Sequence, residues 1–211
     1  MKSKHWIIIM FFLLAGNLAV AQETKMSAAE ITVFKDKVAK ESQNIKTLKT
    51  DFVQFKHMDF LEKDIESTGE MYFKTENTLK WKYNKPYNYS ILFANNKVSI
   101  NDQGNKSSVN MGSNKMFEKL NKLIVGTVNG NLFDDKEFTI SYFKTKEYCI
   151  AKLVPKTEAI KKYIAQVDLY FPVNEYTVSQ VKLTEPSKDY TRIQFKNKVI
   201  NAKIDNSVFT L

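Results

Sequence analysis

His57 and Cys149 are the side chains best suited to acid–base or nucleophilic chemistry, and they stand alone. Beyond residue 21 the chain has no other histidine and no other cysteine. A zinc site of the Cys/His type needs more ligands than these two supply. A Ser-His-Asp or Cys-His pair would have to recruit His57 from the polar stretch 56–64, which reads as an exposed loop where an inert histidine is the ordinary outcome. Cys149 lies in Tyr148-Cys149-Ile150 of a predicted strand and reads as a buried structural thiol. Asp134-Asp135 offers half of a cation site and reads more readily as a solvated turn ahead of a strand. With only six glycines there is no Gly-rich phosphate loop. Catalysis is therefore not expected, and neither a metal nor a cofactor is expected.

What the chain does supply is apolar surface in strand-like order. In Gly69–Pro86, Met71 and Phe73 share one face of a first strand, and Leu79, Trp81 and Tyr83 share one face of a second. Glu70, Tyr72, Lys74, Lys80 and Lys82 take the opposite faces. Extending the same parity gives Phe52, Met71, Phe73, Leu79, Trp81, Tyr89, Ile91 and Phe93 as one candidate set. Two meanings are open at this level. The set is a filled core, or it is the wall of a cavity for something greasy.

The elements that must position this set are mostly strands. A helix is predicted from Ser27 to Asn44 on the spacing of Ile31, Phe34 and Val38, with Ser27 as N-cap ahead of Glu30. Strands are predicted at 48–55, 67–75, 78–83, 87–93 and 97–102, and more weakly at 105–111. A second helix, capped by Asn114, carries Met116, Phe117, Leu120, Leu123 and Ile124 on one side. Strands resume at 137–144, 147–154, 163–171, 176–183 and 190–196, with a short closing segment at 207–211 and a loop at 155–162. About ten or eleven strands joined by short turns imply antiparallel neighbours. Such a sheet must curl to manage its edges, giving an α+β, mainly β fold. At this strand number a barrel interior is wide enough for a ligand unless other elements fill it. The helices are the natural plug or lid.

The ends and composition bound the setting. Lys2 and Lys4, the apolar run Trp6–Leu14 and Ala19-Val20-Ala21 form an export signal with cleavage expected after Ala21. Residues 22–211 are then read as one soluble domain. The formal charge of +9 rests almost wholly on lysine, with Arg192 the one arginine. That disfavours specific nucleic-acid reading, which leans on arginine. It suits a solvated lysine surface, steering towards an acidic partner, or approach to an anionic membrane.

With these residues in view, the chain resembles the periplasmic outer-membrane lipoprotein carrier family, the LolA-like proteins. The resemblance rests on a helix followed by Phe52-Val53-Gln54, then Gly69 to Lys74 as Gly-x-Met/Leu-x-x-Lys, then Trp81, Tyr83 and Pro86 as Trp-x-Tyr-x-x-Pro. A mid-chain amphipathic helix follows, and small and acidic residues precede an aromatic in Ala202–Phe209. The resemblance implies an unclosed antiparallel barrel with helices forming a lid over a hydrophobic cavity. It implies a monomeric carrier that takes acylated lipoproteins from an inner-membrane release transporter to an outer-membrane acceptor. The eight residues above would line its acyl cavity, with Leu79 at a family cavity position, and Met116, Phe117, Leu120, Leu123 and Ile124 would form its lid. One departure is visible. Many members have Arg-Pro after the lysine matching Lys74, and here Thr75 and Glu76 stand there. A carrier or sensor of another amphiphile, and a regulatory protein-binding module with a filled barrel, are the alternatives.

Overall fold

A computed structural model describes residues 22–75, 78–110, 126 and 136–211. Among these, helix α1 (Ala28–Gln43) opens on a capping box. The Ser27 backbone N–H donates to Glu30 Oε2 at 2.9 Å, and the Glu30 N–H donates back to Ser27 Oγ at 3.4 Å. The strands are β1 (Thr24–Lys25), β2 (Thr47–His57), β3 (Ile65–Lys74), β4 (Thr78–Lys85), β5 (Tyr89–Ala94), β6 (Lys97–Asp102), β7 (Asn105–Asn110), β8 (Phe138–Lys144), β9 (Tyr148–Pro155), β10 (Gln166–Pro172), β11 (Gln180–Thr184) and β12 (Tyr190–Ile200). A four-residue helix, α2 (Glu158–Lys161), and a 3-10 turn, Asn206–Phe209, complete the described elements.

All twelve strands belong to one antiparallel sheet ordered β1-β8-β9-β10-β11-β12-β2-β3-β4-β5-β6-β7. The order ends on β7 at one edge and β1 at the other, so the barrel is unclosed. Hairpins supply nearly every contact between neighbours. The exceptions are the pairing of β12 with β2, which joins the two ends of the chain, and that of β1 with β8.

The inner face carries two hydrophobic clusters. One lies under β8–β11, where α1 packs Phe34 and Val38 beside Tyr142, Leu153, Leu169 and Phe171. Phe34 meets Phe171 edge-on at 5.0 Å between centroids. Lys144 on β8 pairs with Glu30 and ties the helix N-terminus to the sheet. The other cluster lies under β2–β6 and holds Leu48, Phe52, Met71, Phe73, Leu79, Trp81, Phe93 and Val98. Phe195 on β12 packs against both.

The weakly expected strand at 105–111 is present as an edge strand at 105–110, with all six residues exposed and so no alternation to mark it. Several other expectations need correction. The loop expected at 155–162 contains α2, and the closing segment is a 3-10 turn. The strand expected from Tyr176 starts at Gln180. His57 ends β2 rather than sitting in the loop. There it stacks on Tyr190 at 4.7 Å, and its Nδ1 lies 2.9 Å from Asp64 Oδ1. Cys149 is partly exposed rather than buried. Burial, reinforced by Glu30, pushes its thiol pKa up, so it is not an activated thiolate. The helix expected at Met116, Phe117, Leu120, Leu123 and Ile124, and the Asp134-Asp135 pair, lie outside the described residues.

Candidate apolar binding wall

Strand pairing lines the expected residues up in rows across the sheet. The first row runs Leu48, Phe73, Leu79, Phe93, Val98 over β2–β6, each residue opposite the next. The second runs Thr50, Met71, Trp81, Ile91, Ile100. The third runs Phe195, Phe52, Gly69, Tyr83, Tyr89 over β12 and β2–β5. The fourth holds Ile193, Gln54 and Ser67. Because side chains alternate with a period of two, all four rows face inward, and adjacent rows are about 7 Å apart.

Of the eight residues expected from the sequence, Phe52, Met71, Phe73, Leu79, Trp81, Ile91 and Phe93 meet in one cluster. Tyr89 stands at its margin, reaching the cluster through Tyr83 at 6.1 Å. Burial is graded along the wall. Phe73 and Leu79 are 0% exposed in the first row, whereas Tyr83, Tyr89 and Gln54 in the last two are only partly buried. The wall is thus deepest at the first row and opens towards the fourth.

Polarity is graded in the same direction. The first row is wholly aliphatic and aromatic. The third and fourth rows bring in Tyr83 and Gln54, whose hydroxyl and amide oxygen share a hydrogen bond of 2.9 Å, with Tyr83 donating. Burial pushes the Tyr83 hydroxyl pKa up, and the nearby Trp81 N–H pulls it partly back. Trp81 Nε1 is buried and has no acceptor among the described residues. A buried donor left in this state costs about 1–3 kcal/mol. The hydroxyl of Thr50, by contrast, is satisfied by the Lys196 carbonyl at 2.8 Å.

Tyr83, Gln54 and Phe195 were missed as site residues from sequence. Tyr83 and Gln54 had a signal, since each shares the parity of a chosen residue two positions away. Phe195 had none, because the pairing of β12 with β2 spans most of the chain. The outer face is of another character. Lys49, Lys82 and Tyr72 surround Glu70 there, with Tyr72 donating to it at 2.8 Å.

The sequence model of the outer membrane lipoprotein carrier protein LolA matches residues 43–211. The chain belongs to the LolA family. No curated protein matches it. Among solved structures, an uncharacterized conserved protein from Thermus thermophilus superposes with a TM-score of 0.52 at 6% identity, covering 86% of this chain and 94% of that one. MucB superposes with a TM-score of 0.53 at 10% identity, covering 88% of this chain and 64% of that one. At such identities the likeness is one of fold. Within the LolA family pattern, Lys74 lies on the outer face, where it donates to Asn206 Oδ1 at 3.1 Å and sits over the Phe209 ring. Thr75 caps the strand end by donating its N–H to the Lys46 carbonyl at 2.9 Å. Glu76 lies outside the described residues. No described helix is long and apolar enough to cross a membrane.

Proposed function

We propose that this LolA-family chain is a periplasmic carrier that shelters the acyl chains of lipoproteins leaving the inner membrane and releases them at the outer membrane. The observation that supports this reading most directly is the inner wall of β2–β6, where the first row runs apolar and unbroken from β2 to β6 and the second adds Met71, Trp81, Ile91 and Ile100, with no charged group in either. Each methylene taken from water is worth roughly 0.8 kcal/mol. Two or three long chains carried bare would therefore cost tens of kcal/mol, and a wall of this breadth covers much of that cost. The wall lacks an ion pair or metal cluster among the described residues, which suits cargo held by area and given up again. Cleavage after Ala21 would deliver the domain to the periplasm, and the lysine-rich outer surface would keep it soluble. No role in catalysis is assigned.

Native mass spectrometry of the protein purified from periplasm without detergent tests the reading. Co-purifying acylated lipoprotein is the expected result. A protein that stays free of lipid and lipoprotein even after incubation with lipoprotein-loaded inner-membrane vesicles would overturn it. A second reading, a regulatory protein-binding module with a filled barrel, draws on the complete burial of Phe73 and Leu79. It expects the second outcome.

A further inference from the structure

We propose that Trp81, Tyr83 and Gln54 form a polar station that takes the ester carbonyl oxygens of a diacylglycerol and so fixes which way round the acyl chains enter. The inference rests on the acyl-carrier reading above and adds a ligand atom and an orientation to it. Nearly all buried polar groups in folded proteins are paired, and a buried tryptophan N–H ordinarily finds an acceptor. Trp81 Nε1 finds none among the described residues. It lies in the second row between Met71 and Ile91, where the row's other side-chain donor, Thr50, is bonded to the Lys196 carbonyl. A phenylalanine there would supply similar apolar area without an unpaired donor, so packing alone does not account for the indole.

The donor stands where an ester would lie. Leu79 and Phe93, in the first row, are shut off from solvent. Tyr83 and Gln54, in the third and fourth, are partly open and already share a hydrogen bond. From Tyr83 to Leu79 the wall runs four residues, about 13 Å of strand. Chains laid along it with their methyl ends at Phe73, Leu79 and Phe93 bring their carboxyl ends to Trp81 and Tyr83. Polar groups of the cargo beyond the ester then meet the groove at Pro86, Asn88, Asn101 and Gln103, at the same end of β4–β6. Entry in the opposite sense would press ester oxygens against Phe73 and Leu79, which offer no donor.

The ester is shared by the diacylglyceryl group of a lipoprotein and by a free phospholipid, so the test carries both. Affinities of the full chain are measured for dihexanoylglycerol, for its dialkyl ether counterpart, for a diacylglyceryl-cysteine peptide and for phosphatidylglycerol of matched chain length. One hydrogen bond predicts a preference of about three- to tenfold for ester over ether. Trp81→Phe, which removes the donor, is expected to abolish that preference, read as the ester-to-ether affinity ratio within each protein so that any loss of wall area common to both ligands cancels. In the protein cleaved after Ala21, where Trp81 is the sole tryptophan, its indole N–H resonance is expected to move downfield with the diester and not with the diether. This holds as a test even where the variant folds poorly. The tighter of peptide and phospholipid identifies the source of the ester. Equal binding of ester and ether, a preference that survives in Trp81→Phe, or an unmoved indole resonance overturns the station alone. If no amphiphile binds, the station and the carrier reading fall together.

Discussion

The ring of Phe52 lies over the bare backbone of Gly69, so close that a Cβ built on Gly69 would stand 2.7 Å from Phe52 Cζ. The two residues are directly opposite across β2 and β3. Beside this gap the β3–β4 register shifts between Thr68 and Gly69. The space lets the Phe52 ring lie down, where it packs on Trp81 at 4.6 Å and meets Tyr83 edge-on at 5.0 Å. A missing side chain on one strand thus sets the aromatic surface of the wall on its neighbours.

Gly69→Ala is expected to destabilise the protein. The new Cβ would lie 2.0 Å from the Lys82 carbonyl oxygen as well as against Phe52, and the carbonyl belongs to rigid backbone. Overpacking of this kind costs about 1–3 kcal/mol. For a domain this size that lowers the melting temperature by several degrees. Phe52→Leu in the same chain should restore only part of the loss, because it relieves the ring and not the carbonyl. Thermal unfolding of the single and double variants decides it. An unchanged melting temperature in Gly69→Ala would mean the strand shifts without cost.

How much of this was legible beforehand follows from what each residue depends on. The parity of Met71, Phe73, Leu79 and Trp81 was readable because the pleat alone sets it. The capping box at Ser27 was readable because both partners lie within one turn. β7 was faint because no residue of Asn105–Asn110 is buried, so its strand character comes from pairing with β6 and not from its own pattern. β1 is two residues long and leaves no period at all. That Phe34 and Leu79 belong to different clusters was also hidden. The division depends on α1 lying against β8–β10, far along the chain. The place of Trp81 on the inner face is legible from its parity, whereas its unpaired N–H depends on neighbours from other strands.

The acid limb of stability should depend on Glu30. Its hydrogen bond from Lys144, helped by the Ser27 N–H, holds the carboxyl at about 2, below its ordinary value of 4.5. A depressed folded-state value means the stabilisation is present above the unfolded value and is lost as pH falls towards the folded one. The loss therefore falls between about pH 4.5 and pH 2. Glu30→Gln is expected to flatten that part of the stability curve while removing the tie between α1 and β8 at neutral pH. Denaturant unfolding from pH 6 to pH 2 checks it. Parallel curves for the two proteins would show that the pair carries no pH-dependent stability.

Ile91 separates a binding wall from a closed core better than Leu79 does. Leu79 has no exposed surface, so a carboxylate there costs several kcal/mol whatever the wall is for. Ile91 lies in the second row opposite Trp81 and is only partly buried. Ile91→Glu can keep its charge hydrated towards the open end and should cost about 1–3 kcal/mol, short of unfolding a domain of ordinary stability. It should nonetheless sharply reduce lipoprotein release from inner-membrane vesicles, since the carboxylate would have to be desolvated against acyl chains. Leu92→Glu, one residue on and facing outward, is the control and should leave release unchanged. A folded Ile91→Glu with normal release would remove the wall of β4–β5 from any part in carrying cargo. Equal loss in both variants would point instead to damage to β5 itself.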